Sequence, residues 1–125
     1  MARILVIDDS DDLRMIYREM LASAGHEVTV AAGGRQGIDH FRVHLPDLVI
    51  TDLFMPEVDG FETISRLLGE FPSTKIIAMS GHDLADSMLQ LARKFGARQT
   101  LQKPFCTEKL LAVVEDVLRS KSLPA

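Results

Sequence analysis

The chain is built on one alternation, repeated five times. A short run of largely apolar residues ends in a polar or turn-forming residue, and a stretch with apolar residues three and four apart follows. The runs are Arg3-Ile-Leu-Val-Ile7, Glu27-Val-Thr-Val-Ala31, Leu48-Val-Ile-Thr-Asp52, Lys75-Ile-Ile-Ala-Met79 and Gln99-Thr-Leu-Gln102. Short runs rich in β-branched side chains and bounded by turn formers read as strands. Strands that alternate with helices make a parallel sheet with helices on both faces. The first, third and fourth runs are continuously apolar, as central parallel strands are. The second and fifth carry polar residues and belong at the edges. The order 2-1-3-4-5 meets both conditions and gives a doubly wound α/β fold.

The intervening helices carry their own start and stop signals. Ser10 caps the first, with Asp11 and Asp12 in a first turn that favours negative charge. Leu13, Ile16, Tyr17, Met20, Leu21 and Ala24 form its apolar face, and Gly25 ends it. The second helix follows Ala32-Gly33-Gly34, turns Ile38 and Phe41 inward, and breaks at Pro46-Asp47. The third, after the Asp59-Gly60 turn, carries Phe61, Ile64, Leu68 and Phe71 on one side. Asp83 is the expected cap of the fourth, with Leu84, Met88, Leu91, Ala92 and Phe95 read as core and Gly96 as its stop. Thr107 is the expected cap of the fifth, with Leu110, Leu111, Val114, Val117 and Leu118 inward. From about Ser120 the chain reads as a short tail.

Composition narrows the class. The 125 residues fit one domain spanning 1–125, and 46% hydrophobic residues supply a core. A net charge of −4 leaves no electrostatic footprint for nucleic acid. The single Cys106 excludes an internal disulfide and points to a reducing compartment. No apolar run approaches the ~20 residues of a membrane span, and no secretory signal pattern opens the chain, so a cytoplasmic location is expected.

A buried strand has no structural use for a terminal carboxylate, yet the third strand ends in Asp52. All strands of a parallel sheet point the same way, so Asp8, Asp9, Asp52, Ser80 and Lys103 are expected at one sheet edge. The strand order puts the switch point between strands one and three, where open α/β sheets bind ligands. Three close carboxylates repel, and one would protonate unless a cation sat among them. An oxygen-only donor set suits Mg²⁺. The chemistry that follows is attack by Asp52 on phosphorus to form an acyl phosphate. Mg²⁺ on Asp8 and Asp9 would neutralise charge on the transferring group. Lys103 would pair with one phosphoryl oxygen, and the Ser80 hydroxyl would donate to another.

These residues carry a family pattern. Asp8-Asp9 after strand one, Asp-x-x-Met-Pro-x-x-Asp-Gly from Asp52 to Gly60, Ser80-Gly81 after strand four and Lys103-Pro104-Phe105 after strand five resemble the receiver domain of two-component response regulators. The resemblance runs from about Arg3 to Ser120. It implies the flavodoxin-like (βα)5 fold and a stand-alone, CheY-like receiver, or a receiver cut from a longer chain. It implies phosphoryl transfer onto Asp52 from a histidine kinase or histidine phosphotransfer protein. The Phe54 backbone carbonyl is implied as a further metal ligand, and a cis Lys103–Pro104 bond is implied as well. The output is implied to be a change in the surface of helix four, strand five and helix five, read by another protein, with a phosphorylation-dependent dimer as one form. The domain is then no enzyme beyond its own phosphorylation and dephosphorylation.

Two positions depart from the family. Thr100 stands three residues before Lys103, where the family usually has Tyr or Phe that turns inward as the switch operates. Phe54, two after Asp52, stands where polar residues are common, and His82 stands two after Ser80. Phe54 and His82 are expected to flank the path of the hydrolytic water, with Phe54 shielding the acyl phosphate.

Two competing readings remain. Ala32-Gly33-Gly34-Arg35-Gln36-Gly37 follows a strand, opens a helix, and lies 20 residues before Asp52 when counted from Ala32, which imitates a dinucleotide fingerprint. That alternative, a nucleotide-binding domain, leaves Asp8, Asp9, Ser80 and Lys103 without a role. A degenerate receiver acting only as an interaction module would not need its acidic and basic positions filled. His26, His40 and His44 lack ligand spacing with Cys or acid partners and are expected at the surface. Cys106 reads as a small apolar residue near a helix start.

Overall fold

The computed structural model describes residues 1–55, 57–81 and 85–120. Pro56, His82, Asp83, Leu84 and the tail from Lys121 lie outside the described residues, so the Asp83 cap, the Leu84 packing and the His82 role are not addressed by it. The elements are β1 (Arg3–Ile7), α1 (Asp11–Ala22), β2 (Glu27–Ala31), α2 (Gly34–His44), β3 (Leu48–Asp52), α3 (Gly60–Glu70), β4 (Ile76–Ser80), α4 (Ala85–Phe95), β5 (Gln99–Gln102) and α5 (Thr107–Arg119). The sheet is parallel throughout, in the order β2-β1-β3-β4-β5.

Strand side chains alternate between the two faces and so build two cores. Leu5, Ile7, Val49, Ile76 and Ala78 point to one face, where Ile38, Phe41, Ile64, Leu67, Leu89 and Ala92 of α2, α3 and α4 cover them. Ile4, Val6, Leu48, Ile50, Ile77 and Met79 point to the other, under Tyr17 and Leu21 of α1 and Leu110, Val114 and Val117 of α5. β1, β3 and β4 are buried on both faces, while β2 and β5 are half-buried at the edges, as their polar residues require.

Helix registers depart from the sequence reading in several places. Ile16 and Ala24 of the expected α1 face are exposed, since β1 and α5 leave room for one narrow stripe centred on Tyr17 and Leu21. In α3 the deepest residues are Ile64 and Leu67, and Phe61, Leu68 and Phe71 stand at the margin of the core. In α4 Leu89 and Ala92 are buried, whereas Leu91 and Phe95 are exposed, so that stripe is only partly core. Phe95 lies instead against Phe61, ring centres 5.3 Å apart. The α5 cap is Cys106, not Thr107, and its side chain makes no capping bond. His26 is buried rather than at the surface, because its Nδ1 accepts the Ala2 backbone N–H at 3.1 Å. The other signals hold: Ser10 caps α1, accepting the Leu13 N–H, and Gly25 adopts a φ of 86° beyond its end. No described helix is long and apolar enough to cross a membrane.

Candidate functional site

The parallel register brings the five predicted side chains to the carboxyl edge of the sheet. β1 ends beside Asp8, β3 ends in Asp52, β4 ends in Ser80, and β5 leads through Gln102 into Lys103. Asp8 and Asp52 are buried and Asp9 is exposed, and carboxylate oxygens of all three lie within 4.8 Å of one another. Lys103 Nζ stands between two of them, donating to Asp8 Oδ2 at 2.8 Å and to Asp52 Oδ2 at 3.1 Å.

The local folding of each loop serves this convergence. Asp8 Oδ1 accepts the Ser10 N–H at 2.9 Å, which turns the chain from β1 into α1. After Asp52 the chain turns sharply, with the Phe54 N–H donating to Asp52 Oδ1 at 3.4 Å. Asp59 then caps α3 by accepting the Glu62 N–H at 2.9 Å. Gly60 is required at that point, since a Cβ there would stand 2.3 Å from the Asp52 carbonyl oxygen. Lys103 is held by its own N–H, which donates to the Ser80 carbonyl at 2.9 Å, and the Lys103–Pro104 bond is cis.

The electrostatics are unbalanced. Burial pushes the Asp52 carboxyl above its usual range; Lys103 opposes that shift and Asp8 adds to it. Burial alone would lower the Lys103 ammonium, but its bonds to Asp8 and the charge of Asp52 outweigh this and raise it. Three carboxylates against one ammonium leave two negative charges uncompensated, on oxygen donors only. That donor set fits a hard divalent cation. The Ser80 hydroxyl is fully buried and has no hydrogen-bond partner among the described residues. A buried donor without a partner is costly, so its place at this edge calls for a ligand oxygen.

Several neighbours were not legible from spacing. Arg14 donates to the Asp8 carbonyl at 2.7 Å and pairs with Asp11. Tyr17 stacks on Phe105 with ring centres 5.2 Å apart, and burial raises its phenol, with smaller effects from Lys103, Asp8 and Asp52. The sequence marks Tyr17 only as a member of an apolar face. Phe54 is half-buried and, with Leu53, Met55, Asp59 and Phe61, lines a hollow of about 400 Å³. Thr100 is half-buried in a groove of about 650 Å³ between α4, β5 and the start of α5.

The glycine loop before α2 has a packing explanation. A Cβ on Gly34 would lie 2.3 Å from Thr63 Oγ1, and one on Gly37 would lie 2.3 Å from Ile7 Cδ1. Both glycines let α2 approach its neighbours closely, so the loop needs no nucleotide to account for them.

Comparison with known proteins points to one family and one fold. The family model described as the response regulator receiver domain matches residues 4–115. The chemotaxis protein CheY of Thermotoga maritima is 31% identical over 116 residues, covering 92% of this chain and 96% of that protein. The DNA-binding transcriptional regulator NtrC of Azospirillum brasilense is 35% identical over 124 residues; the match takes in 99% of this chain but 26% of the relative. The crystal structure of a response regulator receiver domain protein from Clostridium thermocellum superposes with a TM-score of 0.89 at 29% identity, covering 94% of each chain.

Proposed function

The chain belongs to the response regulator receiver domains of two-component signalling, and we propose that Asp52 is its phosphoacceptor. One observation carries this reading: Lys103 Nζ bridges Asp8 and Asp52 at the carboxyl edge, at the switch point of the sheet.

The donor is a phosphohistidine on a histidine kinase or phosphotransfer protein. An Asp52 carboxylate oxygen bonds to phosphorus as the P–N bond breaks. The electron pair of that bond stays on the imidazole, which takes a proton from solvent. Lys103 counters the charge gathered on the phosphoryl oxygens, and the unpartnered Ser80 hydroxyl donates to one of them. Held by Asp8, Asp9 and Asp52, with the Phe54 carbonyl as a further ligand, Mg²⁺ would supply charge neutralisation during transfer. Phe54 shields the acyl phosphate from water with an apolar ring.

The output is a change in the surface of α4, β5 and α5, and residues 1–125 act as one cytoplasmic receiver domain. The Thr100 groove, lined by Leu89, Arg93, Phe105 and Lys109 among others, offers a partner both apolar and basic contacts. Thr100 is too small to fill the groove as an aromatic would, so the output differs in form from that of relatives with Tyr or Phe.

Incubation with Mg²⁺ and acetyl phosphate, followed by intact-mass spectrometry, tests the proposal. The expected result is a gain of one phosphoryl group that Asp52→Asn abolishes. No gain with the unaltered protein, or a gain that survives Asp52→Asn, overturns it.

A further inference from the structure

Neither histidine of α2 is spaced for a Cys or an acid partner. Their spacing to each other is another matter. His40 and His44 are four residues apart on a continuous helix, so they share one face. Their ring centres are 5.7 Å apart. Two imidazoles bound to one ion by metal–nitrogen bonds of about 2 Å have ring centres roughly 5 Å apart. The observed separation is within about 1 Å of that value.

Three further features favour a cation here. His40 Nδ1 is buried without a hydrogen-bond partner, so no bond among the described residues commits that ring to a tautomer or an orientation. His44 is exposed in the last turn of α2, where the carboxyl end of the helix dipole attracts positive charge. Arg42, the cation between them in sequence, lies about 200° around the helix from each. It is drawn away to Glu70 by two bonds of 2.9 Å, and Asp39 stands 3.5 Å from it. The histidine face therefore has no competing ammonium or guanidinium on its own helix.

We propose that His40 and His44 form a bidentate site for a borderline transition-metal ion, Ni²⁺, Cu²⁺ or Zn²⁺, with water completing its coordination. Imidazole suits these ions and not Mg²⁺. The site is thus chemically separate from the acidic cluster, and it stands or falls independently of the phosphoacceptor reading.

Calorimetric titration of the full chain with Ni²⁺ in excess Mg²⁺ tests it. The expected result is one Ni²⁺ per chain, with affinity falling at least about tenfold in His44→Ala. His44 is exposed, so that variant folds. Asp52→Asn is expected to retain the Ni²⁺ site. No Ni²⁺ uptake in Mg²⁺, or equal affinity in His44→Ala, overturns the proposal. Loss in Asp52→Asn with retention in His44→Ala does so too, since the ion would then sit among the acids. A melting temperature that Ni²⁺ raises in the unaltered chain but not in His44→Ala would support it.

Discussion

The two ends of the same strands are finished in opposite ways. At the amino edge most polar groups find matching partners one by one; the exception is the buried His26 Nε2, whose nearest carboxylate, that of Glu115, is 3.9 Å away. Asp47 Oδ2 accepts the Arg3 N–H at 2.8 Å, and Lys75 Nζ donates to the Leu118 carbonyl at 3.0 Å. Gln99 takes a bond from Arg93 and gives one to Asp116, both 3.0 Å. At the carboxyl edge three carboxylates gather around one ammonium, which bonds two of them, and a buried hydroxyl has no partner among the described residues. The first edge is closed mainly by pairwise bonds between the protein's own groups. The second is left incomplete by the protein's own atoms, and its oxygen donors could hold a metal ion. Places where local rules are broken inside a well-ordered fold are where function is to be sought.

The largest expected effect sets a lysine at one edge against a lysine at the other. Lys103→Met leaves Asp8 and Asp52 buried together without their shared cation, at a cost of about 3 kcal/mol in Mg²⁺-free buffer. Mg²⁺ recovers part of that loss. Lys75→Met removes one bond to a carbonyl and costs about 1 kcal/mol, with no response to Mg²⁺. Urea denaturation with and without Mg²⁺ measures both. Equal losses, or an Mg²⁺ response at Lys75, would erase the distinction between the edges.

A carboxylate gives the next contrast, with the opposite sign. The Asp52 pKa is raised by folding, chiefly by burial. Between its unfolded and folded values the native state holds more protons than the unfolded state. Stability in Mg²⁺-free buffer therefore falls as pH rises through that window. Asp52→Asn removes this slope and raises the melting temperature at neutral pH by about 3 °C, the shift that roughly 1 kcal/mol produces in a domain of this size. Asp47→Asn at the amino edge, where the carboxylate accepts a backbone N–H, lowers it instead. Calorimetric melts across pH in chelator decide the matter; a fall in melting temperature for Asp52→Asn would mean that its bond to Lys103 outweighs its burial.

The difference between the edges also explains what could be read in advance. Strand order and the convergence of Asp8, Asp9, Asp52, Ser80 and Lys103 follow from topology, because parallel strands bring every carboxyl end to one edge whatever the helices do. Helix faces were less legible. Spacings of three and four fit more than one stripe on α1 and α4, and which stripe is buried depends on neighbours far along the chain. That is how Ile16, Leu91 and Phe95 came to the surface and Leu89 to the core. His26 was unreadable for the same reason: its partner is the backbone of Ala2, and a bond to a backbone N–H leaves no residue pattern. Tyr17 has both properties, an apolar helix position and a phenol facing the charged edge.

The smallest expected effect concerns time rather than stability. Phe54 packs on the core beside Asp52, and its N–H meets the Asp52 carboxylate. Phe54→Asn replaces that wall with an amide able to hold a water near an acyl phosphate. The phosphorylated form then decays about threefold faster, a barrier change of roughly 0.7 kcal/mol. Phe71, at the other end of α3, lies tilted at 47° against Phe41 with ring centres 4.8 Å apart and supplies the control. Phe71→Asn loses core packing and lowers the melting temperature, yet leaves the lifetime unchanged, since it touches no group at the carboxyl edge. Loss of the phosphoryl group, followed by intact mass after donor removal, separates the two variants. If both shorten the lifetime equally, decay follows the looseness of the fold as a whole, and the apolar rim at Asp52 has no part of its own in protecting the acyl phosphate.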